Sequence, residues 1–174
     1  MLINLFGFKI KRGIDSTLKQ NNRRCIFHNL ENMNRVLLLF SYDDWDEIYP
    51  ISRELESKGK TVLLWTVEPK KKSENNTVFP QNVRVVSTRE SSKINGLSTS
   101  VVEEFEKLSY DTLIDLTSSA SSILLYLLAG NKSEFCIGIK ESDYKMYDFA
   151  VLRQDNMTVS DAYEQIKYYL NNIN

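Results

Sequence analysis

Six short apolar runs mark the chain: RVLLLFS at 35–41, TVLLWTV at 61–67, VRVVS at 83–87, DTLIDL at 111–116, FCIGIK at 135–140 and DFAVLR at 148–153. Their hydrophobicity is continuous rather than alternating, which predicts strands covered on both faces, as in a parallel sheet between helix layers. Between the runs, apolar residues recur three and four apart. In 44–58, Ile48, Ile51 and Leu55 share one helical face, Asp44 and Glu47 are spaced as a capping pair, and Gly59 supplies the stop. Pro50 either kinks this helix or marks its first turn. In 100–108, Val101, Val102, Phe105 and Leu108 point inward and Ser100 with Glu103 has capping-box spacing. Residues 119–129 are almost wholly apolar and predict a buried helix, while 158–171 carries a stripe of Val159, Ala162, Tyr163, Ile166 and Leu170. Residues 68–82, with Lys70, Lys71, Lys72, Asn75 and Asn76, read as a solvated loop. The alternation predicts one Rossmann-like α/β domain over 35–174, a doubly wound, mostly parallel sheet with helices on both faces.

Composition narrows this without changing it. With 174 residues, 42% hydrophobic and 26% charged, the chain suits a single domain with its own core. No apolar run approaches the roughly 18 residues of a membrane-spanning helix. Residues 1–34 form a separate basic leader in this reading: through Arg35 there are seven basic side chains against two acidic ones, within a net charge of −1. The leader opens with Leu2, Ile3, Leu5, Phe6 and Phe8. Its first 12 residues either touch an anionic membrane surface or pack on the body. The charges follow the apolar stretch and no cleavage site is apparent, so a cytoplasmic location is expected.

Cys25 and Cys136 are the only cysteines and His28 the only histidine. Such a set predicts no metal site and no histidine-based triad; Cys136 reads as a small core hydrophobe, and two lone thiols suit a reducing compartment. Neither GxGxxG nor GxxxxGKS/T occurs, which argues against dinucleotide and P-loop sites, and no cofactor is expected. A sequence pI near 5.9 argues against nucleic acid. Ligands of doubly wound sheets bind beyond the carboxyl ends of the strands, which selects Ser41, Asp43, Asp44, Asp46, Glu68, Asp115, Thr117, Ser118, Ser119, Lys140 and Asp143. Asp43, Asp44, Asp46 and Glu47 could hold a cation or a general base, but carboxylates are also favoured in the first turn of a helix. The run TSSASS at 117–122 could cradle an anion, or supply an ordinary N-cap.

Residues 110–139, YDTLIDLTSSASSILLYLLAGNKSEFCIGI, resemble the N-terminal domain of bacterial heptosyltransferases. There a Y-D-x-x-I-D-L strand precedes a small-residue loop, an apolar helix ending in A-G, and a strand carrying I-G. Tyr110, Asp111, Ile114, Asp115, Leu116, Ala129, Gly130, Ile137 and Gly138 match in order, and Asp44 with Pro50 matches an acid and proline six residues apart. The resemblance spans roughly 35–140 and implies the acceptor-side half of a GT-B glycosyltransferase, with Asp44 in the position of the general base. The whole chain also resembles small uncharacterised bacterial proteins. Departures bear on activity. Asp43 replaces the family's glycine before the acid, Thr117 and Ser118 replace Gln-Gly, and Ser121 stands where a basic residue often occurs. The family's donor-binding domain has no counterpart in these residues, so transfer by this chain alone is not expected.

The expectation is therefore a domain that binds rather than catalyses. Its partner would be an anionic sugar or phosphate in the crevice, or a protein or second copy against the leader and Tyr163, Tyr168 and Tyr169. The alternative is an acceptor-binding enzyme component that needs a separate donor domain, or a peripheral membrane protein held through the leader.

Overall fold

A computed structural model describes residues 5–70, 77–92 and 96–173. Leu2 and Ile3, and Lys71, Lys72, Asn75 and Asn76, lie outside the described residues. The elements run α1 (Leu5–Gln20), β1 (Arg35–Phe40), α2 (Trp45–Ser57), β2 (Thr61–Val67), β3 (Val83–Val86), β4 (Ser91–Ser92), β5 (Gly96–Leu97), α3 (Thr99–Glu106), β6 (Thr112–Leu116), α4 (Ser122–Ala129), β7 (Phe135–Gly138), β8 (Phe149–Ala150) and α5 (Val159–Asn172). The main sheet has the order β3-β2-β1-β6-β7-β8, and every neighbouring pair is parallel. Strands β4 and β5 form a small antiparallel pair.

The continuous apolar runs are explained by two cores, one on each face. From β1, Val36, Leu38 and Phe40 enter a core with Ile48, Ile51 and Leu55 of α2 and Ala162, Tyr163, Ile166 and Leu170 of α5. Leu37 and Leu39 enter the other, with Ile14 of α1, Val101 and Phe105 of α3, and Leu124, Leu127 and Leu128 of α4. Successive strand side chains alternate between faces, so a strand sandwiched by helices is apolar at most positions on both faces. This is the Rossmann-like α/β fold expected from the pattern.

Several local expectations are corrected. Residues 21–34 do not stand apart from the domain. Asn21 Nδ2 donates to the carbonyls of Ala129 (2.9 Å) and Asn131 (2.8 Å) beyond α4, Arg23 grips both oxygens of Asp148 (2.8 and 2.7 Å), and Met33 is fully buried. Helix α1 lies against α4, with Ile14 buried in the core they share. The spacing of Asp44 and Glu47 suggested one capping pair, but the Asp44 side chain makes no cap bond, and Glu47 Oε2 accepts from the Ser160 amide at 2.8 Å. Glu47 thus serves the first turn of α5 from across the layer. The Ser100–Glu103 box does not form either, because α3 begins at Thr99 with Ser98 at its N-cap. Pro50 lies inside α2 rather than in its first turn, leaving the Asp46 carbonyl without the amide four residues on. Gly59, at φ +78, ends α2 as expected. The last predicted strand contracts to Phe149–Ala150, although the Val151 and Arg153 amides still bond to Gly138 and Ile139.

Candidate functional site

Strands β1 and β6 are adjacent, with β2 and β3 on one side and β7 and β8 on the other. The winding direction reverses between them, so the loops at their carboxyl ends diverge and open a crevice. Ser41 follows β1, and Thr117–Ser119 follow β6. Ser41 Oγ accepts from the backbone amides of both Ser118 and Ser119, at 3.0 Å each, and meets Ser119 Oγ at 2.9 Å. The Ser118 hydroxyl donates to Asp44 Oδ2. Four of the residues selected from sequence, 74–78 positions apart along the chain, thus form one cluster across the switch point. Half-burial raises the Asp44 carboxyl above its ordinary value, and the negative charges of Glu47 and Asp43 push the same way; the Ser118 bond and Arg153 act against them.

The neighbouring strand carries a second, deeper cluster. Asp115 is 2% exposed on the α4 face of β6. Its Oδ1 accepts from the Thr117 amide (3.0 Å) and hydroxyl (2.6 Å), and its Oδ2 accepts from the Tyr147 hydroxyl at 2.6 Å. Lys140 Nζ sits 3.4 Å from the same Oδ2 and donates to the Thr117 carbonyl at 3.2 Å and to the Thr117 hydroxyl oxygen. The glycine opposite Asp115 explains the geometry. Gly138 pairs with Asp115 in register, and a Cβ there would come within 2.6 Å of the Tyr147 ring. The missing side chain lets Tyr147 lie across β7 and reach the carboxylate on the next strand. Burial and the Asp115 charge both push the Tyr147 hydroxyl far up, so it remains a donor.

Two cavities flank the Ser119–Ser122 segment. One, of about 420 Å³, opens between the β6 and β7 ends and is lined by Asp115, Thr117, Ser122, Lys140, Tyr144 and Tyr147 among others. The other, of about 380 Å³, lies towards β2 and takes in Ser41, Asp43, Glu68 and Lys70. Ser121 caps α4, its hydroxyl accepting from the Leu124 amide at 3.3 Å, which resolves one alternative for TSSASS. Asp143 lines the first cavity. Glu68 is drawn to the Thr88 amide at 3.0 Å.

Other candidates fall elsewhere. His28 pairs with Glu134 at 2.8 Å beside Phe135, at the amino end of β7 and so away from the crevice. Cys136 is buried, its thiol pushed up by desolvation, and Cys25 is exposed and unpaired. Among the described residues, no three His, Cys, Asp or Glu side chains converge as a metal site would need. Tyr163 is 1% exposed in the core and therefore offers no surface, whereas Tyr168 and Tyr169 are exposed. From the Y-D-x-x-I-D-L strand, Tyr110 and Asp111 act at its amino end. Tyr110 accepts from the Lys132 amide at 3.1 Å, and Asp111 Oδ2 from the Asn34 (3.0 Å) and Arg35 (2.8 Å) amides. Tyr147 was not among the residues selected from sequence. The glycine inside FCIGI, read only as part of the family resemblance, is the signal that could have found it, since a strand glycine marks close approach by another group.

Fold and site together define a Rossmann-like α/β protein with a polar crevice at its topological switch point. The chain belongs to a family of unknown function, DUF6913, whose model matches residues 7–173. No curated protein and no solved structure matches it. Among the described residues, no helix is long and apolar enough to cross a membrane.

Proposed function

We propose that this chain is a binding module whose ligand occupies the carboxyl-end cavity between β6 and β7. The carrying observation is the buried Asp115, held by Thr117, Tyr147 and Lys140 at the floor of a 420 Å³ cavity. A buried carboxylate is costly unless it is fully bonded, and here the network that satisfies it also fixes the groups facing the cavity. Pockets of this size with a few convergent polar groups suit small molecules. A sugar or a sugar phosphate is the ligand class in view. Binding rather than turnover is supported by the departures of Asp43, Thr117 and Ser118 from the glycosyltransferase pattern. A cytoplasmic, reducing setting in a bacterial cell is part of the same reading, from the unpaired thiols and the resemblance to small bacterial proteins.

A second reading is favoured by Asp44. Its raised carboxyl, bonded to Ser118 at the switch point, suits an acceptor-binding component of a GT-B-like glycosyltransferase that works with a separate donor domain. A thermal-shift screen against sugars, sugar phosphates, nucleotides and nucleotide sugars tests both. A ligand at a hundred times its dissociation constant stabilises the fold by about 2.7 kcal/mol. Ser142 is half-buried and lines this cavity but not the one towards β2, so a shift abolished by Ser142→Trp supports the cavity, and one abolished only by Asp44→Asn supports the second reading.

A further inference from the structure

Among the described residues, the cavity between β6 and β7 is lined by three carboxylates, Asp115, Glu141 and Asp143, and one ammonium, Lys140. Lys140 is already engaged by Asp115 and Thr117. The backbone donors that a phosphate would use at this point of a doubly wound fold are engaged as well, because the Ser118 and Ser119 amides both end on Ser41 Oγ. Among the described residues a phosphate entering here meets no uncommitted cation in the cavity wall, and it must pass Glu141 and Asp143, which are exposed at the rim. A cation gains little in return. The buried carboxylate is matched by its own donors, and among the described residues no three acidic, His or Cys side chains converge to coordinate a metal ion. What the walls do present is hydroxyls, from Ser122 and Tyr144, beside the apolar surface of Leu124, Leu125 and the tyrosine rings.

We propose that this cavity takes a neutral polyhydroxylated ligand, an unphosphorylated sugar or polyol, and discriminates against its phosphate ester. The proposal rests on the cavity being the binding site and specifies what that site accepts. Saturation-transfer NMR on the full chain tests it with glucose, galactose, mannose and myo-inositol, each alongside its monophosphate. The expected result is binding of one or more neutral members, weakened at least about tenfold by phosphorylation and erased by Ser142→Trp, at a position that lines this cavity and not the one towards β2. The double variant Glu141→Gln, Asp143→Asn should bring the phosphate to within about threefold of its neutral parent. Phosphate esters that bind as tightly as their parents, with Ser142→Trp still erasing the signal, would overturn the neutral-ligand inference and leave the cavity standing. Discrimination unchanged in the double variant would also overturn it, since the rim charges would not be its source. Binding that survives Ser142→Trp, or no binding by any member, removes the cavity reading and this inference with it.

Discussion

At the residue scale, the decisive group is a carboxylate that the fold can bury only because a neighbouring position has no side chain. Asp115 owes one of its donors to Tyr147, and Tyr147 owes its place to Gly138. Replacing Tyr147 by Phe removes one donor from a buried charge and should cost about 1–3 kcal/mol in urea unfolding. Gly138→Ala should cost at least as much, because the added methyl drives the ring off β7 and breaks the same bond. A neutral result for both would show that the network does not stabilise the fold. Asp44 gives a pH prediction of definite sign. Its carboxyl holds its proton more tightly in the folded chain, so the folded state is favoured by this group below the unfolded value, and that contribution is lost as pH rises through the folded one. Relative to Asp44→Asn, the wild type should therefore lose stability as pH rises above about 4, the ordinary carboxylate value, and through the raised folded one. The opposite trend in paired urea midpoints would mean that the Ser118 bond outweighs burial. The sequence showed Asp44 and Ser118 as candidates but paired Asp44 with Glu47, because spacing along one helix cannot reveal a partner on another strand.

At the element scale, the strands were legible because both faces are covered, which leaves few polar positions, Thr66 and Asp115 among them, to break the apolar runs. Helix α4 was legible for the same reason. The ends were less so: β8 keeps only two ladder residues, and the start of α3 was set by Ser98 rather than by the Ser100–Glu103 spacing. Helix α1 was missed altogether, since its apolar positions are interleaved with Lys9, Lys11, Arg12 and Lys19 and read as a charged leader. The tertiary structure adds what periodicity lacked, a clamp made by Asn21 and Arg23 on the α4 end and on Asp148. Asp148 Oδ2 also accepts from the Cys136 amide at 2.8 Å, so Arg23 reaches β7 through it. Arg23→Ala should destabilise the chain by about 2–4 kcal/mol, leaving a partly buried carboxylate unpaired. Hydrogen exchange should then quicken first in α1 and at the start of β7. A uniform change across the protein would contradict a local clamp.

For the whole molecule, the order β3-β2-β1-β6-β7-β8 turns residues scattered from Ser41 to Tyr147 into one wall. That the site would fall at strand ends followed from the fold class alone. Which strand ends adjoin did not, because the crossing order of a sheet is a property of packing that no single segment records. Lys140 was selected from its position after a strand, but its role as the partner of Asp115 depended on β6 and β7 being neighbours. Amide chemical-shift mapping of the isotopically labelled protein, titrated with the neutral sugar panel, tests the central claim most directly. The account predicts that the shifts concentrate on Thr117–Leu125 and Lys140–Tyr147, with little change along β2, β3 and α5. Shifts centred instead on Tyr168 and Tyr169, or spread without a focus, would contradict a binding site at the β6–β7 carboxyl ends.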